Sequence, residues 1–122
     1  MNCNSMAVYT NLPVYKDLYT LLVKVASSLP HLPKDCKYSL AADLRNKVLE
    51  MIVMVYRANK SRYRLPIIEK MQEQLVEVSV YIRVMCDLKY ISQKRYVEWV
   101  EQVSVISKQL VAWERSQRSQ KE

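Results

Sequence analysis

Hydrophobic residues recur along this chain at the three- and four-residue spacing of amphipathic helices. Four stretches show the pattern, at about 14–28, 34–59, 66–89 and 92–116, and a polar tail follows at 117–122. The sequence therefore predicts one all-α domain over residues 1–122. The predicted core positions are Val14, Leu18, Leu21, Val25 and Leu29 in the first stretch, Leu40, Leu44, Val48, Met51 and Val55 in the second, Ile68, Met71, Leu75, Val78, Ile82 and Met85 in the third, and Tyr96, Trp99, Val103, Ile106, Leu110 and Trp113 in the fourth.

The connections between these stretches are short, so consecutive helices are expected to run in opposite directions. Alternating steps of three and four residues favour crossing angles near +20°, as in an antiparallel up-down-up-down four-helix bundle. Ser92 is a candidate N-cap for the fourth helix. Asn59 is a candidate for the left-handed residue that often ends a helix.

Apolar residues also align outside the predicted core, which suggests contacts between copies of the chain. Isolated exposed apolar residues mean little, but aligned sets on several helices indicate an interface. We therefore expect a homo-oligomer, although a wide core would also accommodate such residues. The predicted interface positions are Val76, Val80 and Val84 on the third helix and Leu49, Val53 and Tyr56 on the second.

The composition excludes several kinds of catalytic site. The chain has no glycine, whereas average usage of roughly 7% would supply about nine. Phosphate-binding glycine loops, dinucleotide fingerprints and nucleophile elbows are therefore excluded. The helical HEPN ribonucleases carry an arginine five residues before a histidine. In this chain the single histidine is His31 and the residue five positions before it is Ala26, so that motif is missing. We predict no catalytic residues, no metal site and no cofactor, and hence a protein that is not an enzyme.

The cysteines and the apolar segments indicate the compartment. The chain has three cysteines, Cys3, Cys36 and Cys86, and none of them forms a CxxC pair with another. Such widely separated cysteines are typical of incidental thiols in a reducing environment. The N-terminal residues lack the pattern of a signal peptide. The longest apolar run, Met51 to Tyr56, is too short to cross a bilayer. We expect a soluble cytoplasmic protein with no membrane partner.

Positive charge is concentrated in one part of the chain. The net charge is +7, and residues 31–66 contribute +5 of it, with eight basic and three acidic residues. A small domain this basic commonly binds a polyanion, whereas the plain alternative is a solvated surface with Lys and Arg stabilising helix C-termini. Tyr56 and Tyr63 lie among the basic residues, and tyrosine can stack on an unpaired base. The predicted nucleic-acid contacts are Arg57, Lys60, Arg62, Arg64, Lys34, Lys37, Lys94 and Arg95.

One set of segments is informative beyond the helical pattern: Leu32 to Leu40, Leu44-Arg45, Ala58-Asn59-Lys60, Leu88 to Tyr96 and Trp113. These segments resemble the accessory variability determinant (Avd) family of diversity-generating retroelements. The resemblance extends over about residues 14–115, and its motifs are mostly core and turn positions. The related bundles encoded in ribosomal RNA intervening sequences carry a tryptophan in the first helix and a glycine-ending segment in the second, which this chain lacks.

The resemblance implies a homopentameric barrel of four-helix subunits. It also implies binding to the reverse transcriptase of the retroelement and to RNA or cDNA, in support of mutagenic copying of a template repeat. Two alternatives remain open at this point. One is a bundle of the intervening-sequence type, and the other is a helical adaptor that binds an acidic protein and no nucleic acid.

Overall fold

Four long helices form the fold of this computed structural model, which describes residues 8–121 and, at Lys121, the backbone alone. They are α1 (Pro13–Ser28), α2 (Leu40–Lys60), α3 (Leu65–Asp87) and α4 (Gln93–Lys121). A 3-10 turn at Tyr9–Asn11 precedes them. A second 3-10 turn at Leu29–His31 and a single α-helical turn at Lys34–Lys37 join α1 to α2. No strand is present in the described part of the chain, which confirms the all-helical prediction. Cys3 lies outside the described residues.

The helices pack as a closed square in which α1 and α3 each contact both α2 and α4. Polar contacts between helices show their directions. Lys47 and Glu50 on α2 contact Glu77 and Gln74 on α3, respectively, so residue numbers rise along one helix as they fall along the other. The same relation joins α3 to α4. The helices are therefore antiparallel in sequence order, as the short connections predicted.

The interior contains most of the predicted hydrophobic positions, together with buried residues outside the predicted stripes: Leu32, Cys36, Ala41, Ile52, Met54, Ala58 and Ile91. All six predicted core residues of α3 are buried, as are four in each of the other helices. The remaining members of the predicted stripes, Leu29, Leu40, Tyr96 and Trp113, are half-buried and pack against the core. This agreement follows from the spacing, because one apolar stripe per helix is what a four-helix interior requires.

The connection between α3 and α4 has a backbone geometry that the sequence predicted in part. Ser92 caps α4, since its Oγ accepts the Arg95 amide N–H at 3.1 Å, as predicted. At the end of α3, Lys89 is left-handed with φ of 65°. The Lys89 N–H donates to the Cys86 carbonyl and the Tyr90 N–H donates to the Met85 carbonyl, which is the Schellman arrangement.

The prediction for Asn59 was wrong. This residue stays within α2, and the helix ends one residue later at Lys60 without a left-handed position.

Two boundaries differ from the expected ones. The second stretch is broken at Ser39, whose φ of −125° and ψ of −94° are not helical. The Ser39 hydroxyl donates to the Asp35 carbonyl, and such a local bond competes with helix formation. The fourth helix continues through the tail expected at 117–122, as far as Lys121. Arg118 explains this extension, because it binds Glu114 one turn earlier and Glu69 on α3.

Candidate nucleic-acid interface and subunit-contact faces

The four-residue loop Ser61–Arg64 between α2 and α3 lies at the same end of the bundle as the C-terminal part of α4. The 2.7 Å contact between Arg118 and Glu69 establishes this proximity. We call this end the loop end. The connections at residues 29–39 and 88–92 lie at the other end, because the bundle is antiparallel.

Hydrogen bonds hold the backbone of the loop in a defined shape. The Arg64 guanidinium donates from Nη2 to the Asn59 carbonyl at 3.0 Å and from Nε to the Ser61 carbonyl at 3.2 Å. The Tyr63 N–H donates to Ser61 Oγ at 3.0 Å. Arg64 was predicted to contact phosphate, but its guanidinium is half-buried and binds the loop. Its positive charge is nevertheless unneutralised, because both acceptors are carbonyls.

The other predicted basic residues of the loop end project into solvent. Arg57 and Arg62 are exposed. Lys60 lies 4.9 Å from the centroid of the Tyr56 ring and donates to the Tyr56 hydroxyl at 3.2 Å. Within residues 8–121 none of these three cations forms an ion pair. The structure therefore brings their charges together near Arg64 without neutralising them.

The acidic residues nearby are already paired. Glu114 accepts hydrogen bonds from Gln72 at 3.0 Å and from Arg118 at 2.8 Å. These bonds, Gln72 first and Arg118 second, hold the pKa of Glu114 below its usual range. Arg118 also satisfies Glu69, and the Glu114 bond raises the pKa of Arg118. The carboxylates Glu69 and Glu114 thus pair with Arg118 and not with the cations of the loop.

The remaining four predicted phosphate contacts lie at the other end. Lys34 and Lys37 belong to the helical turn before α2, and Lys94 and Arg95 belong to the first turn of α4. Lys37 Nζ lies 5.9 Å from the ring centroid of Tyr38. Lys34 and Lys94 are exposed, and Lys37 and Arg95 are half-buried. The eight predicted residues therefore form two separate basic groups, one at each end.

The predicted interface residues of α3 form one apolar surface. Val76 and Val80 are exposed by 64% and 55%, and Val84 is half-buried. Together with Leu40 and Tyr81 they line a shallow groove. We call Val76, Val80 and Val84 the α3 ridge.

The predicted interface residues of α2 are exposed but differ in their surroundings. Leu49 and Val53 line a groove that also contains Arg57 and Lys70. Tyr56 instead contacts Tyr9, with ring centroids 5.2 Å apart in an edge-on arrangement. Tyr56 is therefore turned towards α1.

Two further tyrosines extend that contact across the outer surface of α1. Tyr9 contacts Tyr15 edge-on at 5.3 Å, and Tyr15 stacks on Tyr19 at 6.0 Å. Sequence reasoning predicted Tyr56 as an interface residue but missed Tyr9. No periodic signal marks Tyr9, because it lies in the 3-10 turn before the first helix. We use the name α1–α2 face for the aromatic and apolar outer surface of α1 and α2, which is made of Tyr9, Tyr15, Tyr19, Leu49, Val53 and Tyr56.

A polar contact between α1 and α4 also escaped sequence reasoning. The Asp17 carboxylate accepts the Gln102 amide at 2.9 Å and the Gln109 amide at 2.7 Å. The Gln109 Oε1 atom is buried without a hydrogen-bond partner. The spacing of seven residues between the two glutamines puts them on one face of α4, and this was the available signal.

Two features of the described residues bear on metal binding and on thiol chemistry. No three His, Cys, Asp or Glu side chains within residues 8–121 lie close enough to hold a metal ion. Cys36 is buried, and desolvation raises the pKa of its thiol, which disfavours the reactive thiolate. Within the same residues, no helix has the length and apolar character needed to span a bilayer.

Comparison with known families decides between the expected relatives. A family model described as bAvd-like matches residues 14–117, which cover all of α2 and α3 and nearly all of α1 and α4. The chain belongs to the bAvd-like family. This match confirms the resemblance to Avd proteins that the turn and core motifs indicated. No curated protein shows significant similarity to the chain.

Proposed function

We propose that this chain is the non-catalytic accessory subunit of a diversity-generating retroelement, acting as a homo-oligomer that binds the reverse transcriptase and nucleic acid. The observation that carries the proposal is the bAvd-like match over residues 14–117. It extends through the whole bundle, so the likeness covers the helices that carry both basic groups and both apolar faces. A cytoplasmic location stays a prediction.

The charge distribution supports a nucleic-acid partner. Arg57, Lys60, Arg62 and Arg64 lie within eight residues at the loop end and have no carboxylate partner in the described chain. Repetition of this group around a ring would strengthen the field. Binding through phosphates should weaken steeply with salt and depend little on sequence.

The apolar surfaces support self-association of a particular kind. The α3 ridge and the α1–α2 face lie on different helices and differ in composition, one aliphatic and the other rich in tyrosine. A contact between two different faces is heterologous, and it generates a closed ring when the rotation allows closure. We propose that the α3 ridge of one copy packs on the α1–α2 face of the next. Five copies is the ring size that the family resemblance implies.

The direct test is co-expression with the reverse transcriptase of a diversity-generating retroelement from the same genome. We expect the two proteins to purify together through size exclusion, and the accessory chain alone to shift a structured RNA in an electrophoretic assay. An adaptor for an acidic protein would shift no RNA at moderate salt. That result, or failure to retain the reverse transcriptase, would contradict the proposal.

Self-association has its own test in Val80→Glu. A carboxylate in the middle of the α3 ridge would be buried without a partner if the ridge forms a contact, so the assembly should dissociate. Light scattering measures the particle mass. Val105→Glu is the matched control, because Val105 is an exposed valine of α4 outside both proposed faces. An unchanged mass for Val80→Glu, or an equal loss for Val105→Glu, would reject this interface.

A further inference from the structure

We propose that the Ser61–Arg64 loop is a binding site for single-stranded nucleic acid, in which Tyr63 stacks on an unpaired base while Arg62 and its basic neighbours hold the flanking phosphates. This inference rests on the proposed nucleic-acid function and names the class of substrate. It is argued from the shape of the loop, the exposure of its tyrosine and the charges beside it.

The first observation is that only one of the two tyrosines among the basic residues is available. The Tyr56 ring is occupied, since Tyr9 contacts it edge-on and Lys60 lies over it. Tyr63 is 70% exposed. None of the ring contacts found within residues 8–121 involves Tyr63. The face of its ring is therefore open to a ligand.

The second observation is that the loop is organised before any ligand binds. Arg64 connects the last turn of α2 to the loop through the Asn59 and Ser61 carbonyls. The Ser61 N–H donates to the carbonyls of Arg57 and Ala58, and the Ser61 hydroxyl accepts the Tyr63 N–H. Each of these bonds reduces the backbone freedom that binding would otherwise have to remove.

The third observation is that the exposed aromatic ring lies among cations that lack carboxylate partners. Arg62 precedes Tyr63 directly, and Arg57 and Lys60 lie within the last turn of α2. The carboxylates Glu69 and Glu114 at this end pair with Arg118 and not with these cations. An open aromatic ring surrounded by unneutralised basic groups is the arrangement used to bind single strands, which offer both phosphates and free base faces.

A duplex can make only one of the two kinds of contact that this site offers. Its phosphates are accessible, but its bases are stacked inside the helix and present no free face to Tyr63. A duplex also carries the higher density of charge. Purely electrostatic binding would therefore favour the duplex, whereas stacking on Tyr63 favours the single strand. The sign of the preference separates the two explanations.

The experiment measures the affinity of the full chain for an unstructured 20-nucleotide oligouridine RNA and for a 20-base-pair RNA duplex at the same salt concentration. We expect the single strand to bind more tightly. Tyr63→Ala should weaken single-strand binding by about 5- to 100-fold and leave duplex binding unchanged, because one base stack is lost. Tyr63→Phe should retain the wild-type affinity, since it keeps the ring. Arg62→Ala should weaken the binding of both RNAs and reduce by about one the slope of log affinity against log salt concentration.

Tyr38→Ala is the matched control. Tyr38 is 75% exposed and lies beside Lys37, but at the opposite end of the bundle. Its removal should leave single-strand binding unchanged. An equal loss for Tyr38→Ala, an unaltered affinity for Tyr63→Ala, or a wild-type preference for the duplex would overturn the inference while leaving the nucleic-acid function intact. Failure of the wild-type chain to bind either RNA would instead overturn the proposed function.

Discussion

Replacement of Lys89 by glycine is expected to leave a more stable protein than replacement of Lys89 by alanine. Lys89 has φ of 65° and ends α3 within a Schellman arrangement. Its Cβ crowds the following carbonyl in this conformation, and glycine avoids that contact. The chain contains no glycine, so this position carries the steric cost that glycine removes in other helix ends.

The magnitude follows from three opposing contributions. The left-handed conformation costs a residue with a Cβ about 1–2 kcal/mol. Glycine avoids this cost, but it destabilises the folded state by roughly 0.5–1 kcal/mol because it gives the unfolded chain more conformational freedom. Loss of the lysine charge at the helix C-terminus costs a further few tenths to about 1 kcal/mol. Lys89→Ala loses the same charge but keeps the Cβ, so Lys89→Gly should exceed Lys89→Ala in stability by about 1 kcal/mol.

Thermal unfolding provides the assay. For 122 residues, an unfolding entropy of about 2.1 cal/mol/K per residue converts 1 kcal/mol into a difference in Tm of roughly 4 °C. Both variants must be compared at one protein concentration, because self-association makes Tm depend on concentration. Equal Tm values for Lys89→Gly and Lys89→Ala would refute the reasoning, since they differ only in the Cβ.

Two further variants test the polar contacts between helices. Asp17→Ala removes the carboxylate that accepts both amides, which leaves Gln109 without this acceptor and Gln102 with only the Asp17 main-chain carbonyl. It should lower the free energy of unfolding in urea by about 2 kcal/mol, with a smaller loss for Asp17→Asn, which keeps one side-chain acceptor. A loss as small as that of a surface substitution would show that the carboxylate contributes nothing. The pKa of Glu114 is lowered in the folded state, so its stabilising contribution is present above the pKa of an ordinary glutamate and is lost as the pH falls through the lowered value. The fall in Tm between about pH 5 and about pH 3 should therefore be shallower for Glu114→Gln than for the wild type, and identical profiles would contradict this assignment.

Hydrophobic spacing determined most of the architecture. The stripes through residues such as Leu18, Met51, Val78 and Ile106 are buried as predicted because each helix must direct its apolar side inward. Short connections then determined the antiparallel order, and the Ser92 cap followed from local chemistry. These features depend on residues near one another in the sequence, which is why periodicity and capping rules detected them.

Other features depended on which residues the fold brings together. A count of basic and aromatic residues treats Arg62 and Arg64 alike, and Tyr56 and Tyr63 alike. Only the structure shows that Arg64 binds the loop backbone and that the ring of Tyr63 is open. The tail expected after residue 116 is helical because Arg118 reaches Glu69, a residue 49 positions away. Spacing along the chain contains no information on such contacts.

The sequence by itself therefore determined the helical class, the core and the regions of positive charge, since all three are sums over local positions. The tertiary structure decided which cations of the loop end lack a carboxylate partner among the described residues, and which of Tyr56 and Tyr63 has an open ring. Those properties depend on distances between helices, and the distances exist only after the bundle has closed.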